Sequence, residues 1–174
     1  MKLPTRAGGA PVTLHAISQQ IDFEAELAVV IGRTARRLAS RDAWGHVAGY
    51  VATNDISARD WQGNKVALAP GERGDGQWLR AKGSDTFFPM SSTLITLDEA
   101  GRNPAFAVRS WRIPAAGPEA GRPLPMQDGR ADDLVFDIPT LIEFVSSAIT
   151  LEPGDVISTG TPAGVGVFRT PPVY

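Results

Sequence analysis

The segment 22–31 constrains the fold more than any other part of the chain, because it combines a buried-strand pattern with two acidic side chains. Residues 27–31 are apolar at every position, which is typical of a strand covered on both faces. Successive side chains of a strand point to opposite faces, so Glu24 and Glu26 emerge on the same face. Burying either carboxylate without a partner would cost several kcal/mol. Either that face is wet or a cation lies between the two acids.

Length and composition predict one domain. A chain of 174 residues is long enough for one sizeable core and short for two. The net charge of −2 gives no electrostatic footprint for nucleic acid or an anionic membrane. The sequence has no cysteine, which excludes disulfides, zinc–thiolate sites and thiol nucleophiles and fits a reducing compartment. The first ten residues lack a signal-peptide pattern, and residues 27–31 are too few to span a membrane. We expect a soluble cytoplasmic protein with no nucleic-acid or membrane partner.

Hydrophobic periodicity predicts a mixed α+β domain with more strand than helix. We expect strands over residues 12–14, 23–32, 49–54, 94–97, 106–113 and 156–161. The Gly-rich segment 64–77 predicts a surface loop, residues 98–104 a turn, and the Pro-rich segment 114–125 cannot join a central strand.

Two short helices are expected. The first runs over residues 40–47, with Ser40 as its N-cap and Trp44, Val47 and Ala48 facing inward. The second follows Asp137, where Pro139 suits a first turn. Its apolar positions recur at helical spacing and are Leu141, Ile142, Val145, Ala148 and Ile149.

A third carboxylate, Asp55, ends the apolar strand expected over residues 49–54. Neither His15 nor His46 lies near the three acids in sequence. Three oxygen ligands without cysteine or histidine suit Mg²⁺ or Mn²⁺, with water or substrate completing the coordination. Two acids on one strand face are also common on wet surfaces, and the apolar residues 27–31 favour the metal hypothesis over that alternative.

Four motifs in this order resemble the C-terminal catalytic region of the fumarylacetoacetate hydrolase family. They are Glu24-Ala-Glu26, Asn54-Asp55-x-Ser57-Ala58-Arg59-Asp60-x-Gln62, Lys82-Gly-Ser-Asp-Thr86 and Gly160-Thr-Pro-Ala-Gly-Val-Gly166. The similarity runs over about residues 4–172. It implies a mixed, rolled β-sheet, usually dimeric, that acts on 2-oxo or β-diketo acids, and hence a homodimer here.

The resemblance also implies the roles of individual residues. Glu24, Glu26 and Asp55 match the family's ligands for Mg²⁺, Mn²⁺ or Ca²⁺. Lys82 matches the family's lysine, and we interpret it as the catalytic ammonium that stabilises a developing enolate. Arg59, Gln62 and Thr161 match the residues that bind substrate.

Each of these residues has a plainer interpretation. Lys82 would otherwise be a solvated surface lysine. Arg59 would form an internal salt bridge with Asp60 or Asp85, an alternative of equal weight, and Gln62 would cap local backbone. Thr161 would belong to a structural turn.

Two functional hypotheses follow. The first is a divalent-metal-dependent enzyme that acts on a small 2-oxo or β-diketo acid through an enolate, by C–C hydrolysis, decarboxylation or isomerisation. The second is a truncated family member that binds metal and ligand without turnover. Many members carry an upstream His and Glu and further closing strands, so we expect residues 1–174 to form a single catalytic domain incomplete at both ends.

Overall fold

The α+β, strand-rich fold class predicted from the sequence is confirmed. The structure is a computed structural model that describes residues 9–63 and 76–174. In the described residues the strands are β1 (Ile21–Asp22), β2 (Ala25–Ile31), β3 (Val47–Asn54), β4 (Ser57–Ala58), β5 (Ile95–Thr96), β6 (Ala107–Arg112), β7 (Leu124–Arg130) and β8 (Val156–Ser158). The α-helical segments are α1 (Arg59–Gln62), α2 (Trp78–Lys82), α3 (Leu97–Ala100) and α4 (Ile138–Ala148), and two 3₁₀ helices cover Ser40–His46 and Gly166–Phe168.

A four-stranded antiparallel sheet in the order β5-β3-β2-β8 holds the segment that constrains the fold. Strand β2 is hydrogen-bonded on both sides, as its continuous apolar run predicts. Its register against β3 begins with Ala25 opposite Asn54, which brings the start of β2 beside the end of β3. Leu27, Val29 and Ile31 are buried in the main core. Burial of each such side chain contributes about 1.5–3 kcal/mol.

Helix α4 covers this core and begins where the sequence predicts. The Asp137 carboxylate accepts a hydrogen bond from the Thr140 backbone N–H at 2.9 Å, and Ile142 is fully buried. The last two of its periodic apolar positions, Ala148 and Ile149, are exposed, because the helix ends at Ala148. Ser146 takes the buried position of the last turn instead.

The first predicted helix is a 3₁₀ helix over Ser40–His46, and Ser40 is its first residue rather than its N-cap. Ala39 occupies the cap position without a side-chain hydrogen bond. Asp42 and Gly45 are weak α-helix formers, and Val47 is drawn into β3, so only this short segment forms.

Strand β7 was not predicted, and it pairs with β6 in a separate antiparallel hairpin. Pro125 lies in β7 at the point where the register shifts, which a two-stranded hairpin tolerates. The strand expected over residues 12–14 is wrong: the Thr13 N–H donates to Thr86 Oγ1 at 2.6 Å instead of to a strand.

Three further boundaries differ from the prediction. Residues 94–97 give only β5, residues 97–100 form α3 in place of the start of a turn, and β8 ends at Ser158. The loop predicted over residues 64–77 lies outside the described residues, apart from Gly76 and Gln77. Across residues 9–63 and 76–174, no helix is both long and apolar enough to cross a membrane.

Candidate metal centre and active site

The start of β2 and the end of β3 bring the three predicted acids together. The Asn54 side chain accepts a hydrogen bond from the Glu24 N–H at 2.9 Å, and the Asp55 N–H donates to the Glu24 carbonyl at 2.8 Å. One carboxylate oxygen from each of Glu24, Glu26 and Asp55 lies within 4.8 Å of the others. Glu24 and Glu26 are buried, at 8% and 5% exposure. The register of two neighbouring strands therefore concentrates three negative charges at one point.

Burial and this concentration of charge both act on the pKa of Glu26. Burial raises the pKa of its carboxyl from 4.5 to about 7, and the charges of Asp55 and Glu24 add to the increase. The Ser158 hydroxyl and the Gly160 N–H both donate to Glu26 Oε2 and act in the opposite direction. A cation bound beside Glu26 would lower this pKa and favour the ionised carboxylate.

Lys82 supplies one positive charge from the end of α2. Its Nζ lies 2.9 Å from Glu24 Oε2 and 2.5 Å from Asp55 Oδ2. Burial alone would lower the pKa of Lys82, but the carboxylates of Asp55 and Glu24 together raise it, so the ammonium stays charged. The solvated surface lysine that was the alternative interpretation does not describe this environment.

Arg59 lies buried at the start of α1 with carboxylates on two sides. Its Nη2 is 2.8 Å from Asp22 Oδ2 and 2.6 Å from Glu24 Oε1, and its Nε donates to Asp22 at 2.9 Å. The internal ion pair therefore exists, but the partners predicted for it, Asp60 and Asp85, are wrong. The two pairing acids lie more than thirty positions away in sequence, where local spacing gives no signal.

Gln62 and Thr161 complete the predicted set. The Gln62 Oε1 accepts from Arg59 Nη1 at 3.0 Å. The Thr161 hydroxyl donates to the Ala25 carbonyl at 2.9 Å and accepts from Gln127 Nε2 at 2.7 Å. Gln62 is thus held by Arg59 within α1, and Thr161 is held by β2, the strand that carries Glu26.

All seven predicted residues line one open cavity of about 820 Å³. The cavity is also lined by residues that the sequence reasoning did not assign, namely Gly63, Trp78, Ser158, Gly160 and Phe168. Ser158 and Gly160 were within reach of sequence analysis, because they alternate along the strand predicted over residues 156–161. The buried Gln127, which contacts Thr161, had no such signal.

The charge around the cavity fits a divalent cation. Among the described residues in contact there, the four carboxylates of Asp22, Glu24, Glu26 and Asp55 face two cations, Arg59 and Lys82. Two negative charges are left over, and all the candidate ligand atoms are oxygens. Hard cations such as Mg²⁺ and Mn²⁺ prefer such ligands.

Comparison with known families gives a match over almost the whole chain. Residues 2–174 match the profile of the fumarylacetoacetate hydrolase C-terminal region. The human mitochondrial protein named oxaloacetate tautomerase FAHD2A is 41% identical over 163 residues, and the Xenopus laevis mitochondrial oxaloacetate tautomerase fahd2 is 39% identical over 164 residues. Each match covers 94% of this chain and 46% of the relative. The chain thus spans about half the length of these curated relatives.

Solved structures share the fold. The crystal structure of Cg1458 with inhibitor superposes with a TM-score of 0.77 at 31% identity, covering 92% of this chain and 54% of that one. A 5-carboxymethyl-2-hydroxymuconate delta-isomerase from Mycobacterium smegmatis gives a TM-score of 0.74 at 35% identity, covering 97% of this chain and 56% of that one.

Proposed function

The chain belongs to the fumarylacetoacetate hydrolase family, and from this premise we propose that it is the catalytic part of a divalent-metal-dependent enzyme acting on small 2-oxo acids. Keto–enol tautomerisation of a 2-oxo dicarboxylic acid such as oxaloacetate is the reaction we favour. The observation that carries the proposal is the convergence of Glu24, Glu26 and Asp55 beside the Lys82 ammonium in one cavity.

Glu24, Glu26 and Asp55 would hold the cation. Mg²⁺ or Mn²⁺ suits three carboxylates best, and Ca²⁺ would need more oxygen ligands. When bound, the cation would act as a Lewis acid on the carbonyl group of a 2-oxo acid. The two uncompensated negative charges around the cavity support this assignment.

Lys82 would donate a hydrogen bond to the substrate oxygen that gains negative charge as the enolate forms. An ammonium held in a partly buried site stabilises such charge far better than one in water. Its contacts with Glu24 and Asp55 place the ammonium beside the acids before any substrate arrives. These contacts support the catalytic role that we propose for Lys82.

Arg59 and Gln62 would recognise substrate oxygens as a pair. Arg59 is fixed by Asp22 and Glu24 and donates to the Gln62 oxygen, so the Gln62 amide nitrogen is the end that can donate to substrate. Arg59 would contribute mainly positive charge at the cavity wall. Thr161, which follows β8, would contribute its hydroxyl.

The names of the relatives favour isomerisation among the reactions that an enolate permits. The human and Xenopus proteins are named oxaloacetate tautomerases, and the mycobacterial structure is named an isomerase. Isomerisation requires only proton transfer, whereas C–C hydrolysis also requires an activated water. The cytoplasmic location expected from the sequence stays a prediction, and the human relative is named as mitochondrial.

The test is enzymatic. Conversion of enol to keto oxaloacetate is followed by the loss of enol absorbance, with and without Mg²⁺ or Mn²⁺, alongside assays of acylpyruvate hydrolysis and oxaloacetate decarboxylation. We expect metal-dependent tautomerisation above the spontaneous rate. Metal binding without turnover of any of these acids would instead favour a non-catalytic member, and activity that is indifferent to metal would refute the proposal.

A further inference from the structure

The side chain of Gln127, on β7, connects three parts of the molecule at the wall of the cavity. It is 2% exposed and makes four hydrogen bonds. Its Oε1 accepts from the Ala25 N–H at 3.0 Å and from the Ser110 hydroxyl at 2.9 Å. Its Nε2 donates to Thr161 Oγ1 at 2.7 Å and to the Pro162 carbonyl at 2.9 Å. A primary amide in this environment has every donor and both acceptor positions in use.

Backbone partners determine which end of the amide lies where. The Ala25 N–H can only donate, so the atom beside it must be the amide oxygen. The Pro162 carbonyl can only accept, so the atom beside it must be the amide nitrogen. The orientation of Gln127 thus follows from the backbone and is not a free choice between two flipped forms.

This orientation determines the polarity of the Thr161 hydroxyl. Because the Gln127 nitrogen can only donate, Thr161 Oγ1 must accept there. The single hydroxyl proton is therefore directed elsewhere, to the Ala25 carbonyl at 2.9 Å. To reach a substrate oxygen in the cavity that Thr161 lines, this proton would have to turn away from the Ala25 carbonyl.

The contacts of Gln127 also hold the Thr161 loop against the acids. Ala25 lies between Glu24 and Glu26, and the Gly160 N–H, one residue before Thr161, donates to Glu26 at 3.0 Å. The loop lies so close to β7 that a Cβ at Gly129 would collide with the Pro162 side chain. Loss of the Gln127 contacts would therefore release both the hydroxyl and this N–H.

We propose that Gln127 is a positioning residue, which keeps the Thr161 hydroxyl a donor that can turn from the Ala25 carbonyl to a substrate oxygen, and which fixes the segment 160–162 onto β2 at Ala25. The inference rests on the proposed function, since it assigns Thr161 to the substrate. Gln127 itself does not line the cavity, so it would act through Thr161 and Gly160.

The main test is Gln127→Glu, which keeps the shape and both acceptor contacts but turns the donor end into an acceptor. Thr161 would then have to donate to that carboxylate. We expect the affinity for oxalate, measured by calorimetry with saturating Mg²⁺, to fall about tenfold or more, as for loss of a buried hydrogen bond. Ser110→Ala is the matched control, because it removes one partner of the same amide without touching the loop. Its affinity should stay within about twofold of the parent protein.

A double-mutant cycle separates positioning from general destabilisation. In a Thr161→Val background, Gln127→Glu should lower oxalate affinity by clearly less than in the parent background, because the hydroxyl is gone and only the effect through Gly160 remains. The same loss in both backgrounds would overturn the inference, as would parent-like affinity in Gln127→Glu. Gln127→Met, which is uncharged, takes its place in the cycle if the buried carboxylate prevents folding in a thermal melt.

Amide hydrogen exchange across residues 159–163 gives a readout that needs no ligand. Exchange should accelerate in Gln127→Glu or Gln127→Met and stay unchanged in Ser110→Ala. If the parent protein does not bind oxalate with Mg²⁺, the proposed function fails, and exchange alone decides whether Gln127 holds the loop. Unchanged exchange in the Gln127 variants would overturn the inference whatever the ligand result.

Discussion

At the scale of single residues, the site holds four carboxyl groups and two cations, so it has an excess of negative charge when all four acids are ionised. Glu24 is shared between Arg59 and Lys82, Asp55 contacts Lys82, and Glu26 has only hydroxyl and N–H donors among its described contacts. Replacement of any one of these residues changes the net charge that the others experience. Loss of an acid should therefore lower the affinity for a divalent cation, whereas loss of the lysine should maintain or raise it.

Lys82→Met should separate catalysis from metal binding. The ammonium would be lost beside Glu24 and Asp55, so Mg²⁺ affinity should be equal to or higher than that of the parent protein. Turnover should fall by about 100-fold or more, as for loss of one donor to a developing oxyanion. Calorimetric Mg²⁺ titration and the tautomerase assay measure the two effects. The control is Arg80→Met on the same helix, and an unaltered rate in Lys82→Met would remove Lys82 from the mechanism.

Metal binding should depend on pH through Glu26. Protons compete with the cation for a carboxyl whose pKa is about 7, so Mg²⁺ affinity should rise with pH and level off above that value. In the metal-free protein the sign of the stability effect is opposite. The folded state holds the Glu26 proton more tightly than the unfolded chain does. The protonated carboxyl therefore stabilises the fold below about pH 4.5, and this stabilisation is lost as pH rises through about 7.

Thermal melts of the metal-free protein between pH 5 and pH 8 test this second effect. The melting temperature of the parent protein should fall with pH relative to that of Glu26→Gln, whose side chain does not ionise. Parallel curves for the two proteins would contradict the assigned environment of Glu26.

The sequence identified the residues of the site but not the contacts that hold them. Glu24, Glu26, Asp55 and Lys82 were found because acids and a lysine beside apolar strands and glycines are unusual locally. Gln127 was not found, because its four partners come from distant segments and a single buried amide has no periodicity.

At the scale of elements, the 3₁₀ helix Gly166–Phe168 stabilises the site through its hydrogen bonds to Asp22. The Asp22 carboxylate accepts from the N–H groups of Gly166 at 2.7 Å and Val167 at 3.0 Å, and it also holds Arg59. A Cβ at position 166 would lie 2.6 Å from Asp22 Oδ1 and collide with the Val173 carbonyl. This short helix therefore links the C-terminal segment to the arginine of the cavity.

Gly166→Ala should destabilise the fold and disturb Arg59 together. We expect a loss of about 1–3 kcal/mol in the free energy of unfolding, as for overpacking of a dense core. Oxalate binding with Mg²⁺ should weaken as well. Gly45→Ala is the control, because nothing lies within 4 Å of a Cβ there. Urea denaturation and calorimetry measure both effects, and parent-like stability of Gly166→Ala would contradict this packing.

Elements with a clear apolar pattern or a cap were predictable, whereas β7 and the short helices α1 to α3 were not. The apolar run of β2 and the Asp137 cap of α4 predicted both elements close to their observed positions in the sequence. Strand β7 was missed because Pro125 and the Asp128-Gly129 pair are poor strand formers, and pairing with β6 outweighs them. Ser146, which is polar, took a core position that periodicity had assigned to apolar residues.

At the scale of the whole molecule, the four motifs meet in one cavity although they span residues 24–166 of the chain. No local pattern predicts such a meeting; the family resemblance did. Local reasoning supplied the fold class, and the resemblance supplied the arrangement.

The homodimer implied by the resemblance stays a prediction, and exposed apolar side chains support it. Val135, Phe136 and Phe144 are 92%, 62% and 77% exposed. Light scattering after gel filtration should give twice the mass of one chain, and Val135→Asp with Phe136→Asp should halve it. A single-chain mass for the parent protein would refute the dimer.

Titration of Mg²⁺ or Mn²⁺ into the metal-free protein tests the central claim most directly. We predict one bound ion per chain at pH 8, a loss of affinity of about tenfold or more in Glu26→Gln, and parent-like binding in Glu143→Gln, which changes an exposed acid on α4. A parent protein that binds no divalent ion, or a Glu26→Gln variant that binds it unchanged, would contradict the account.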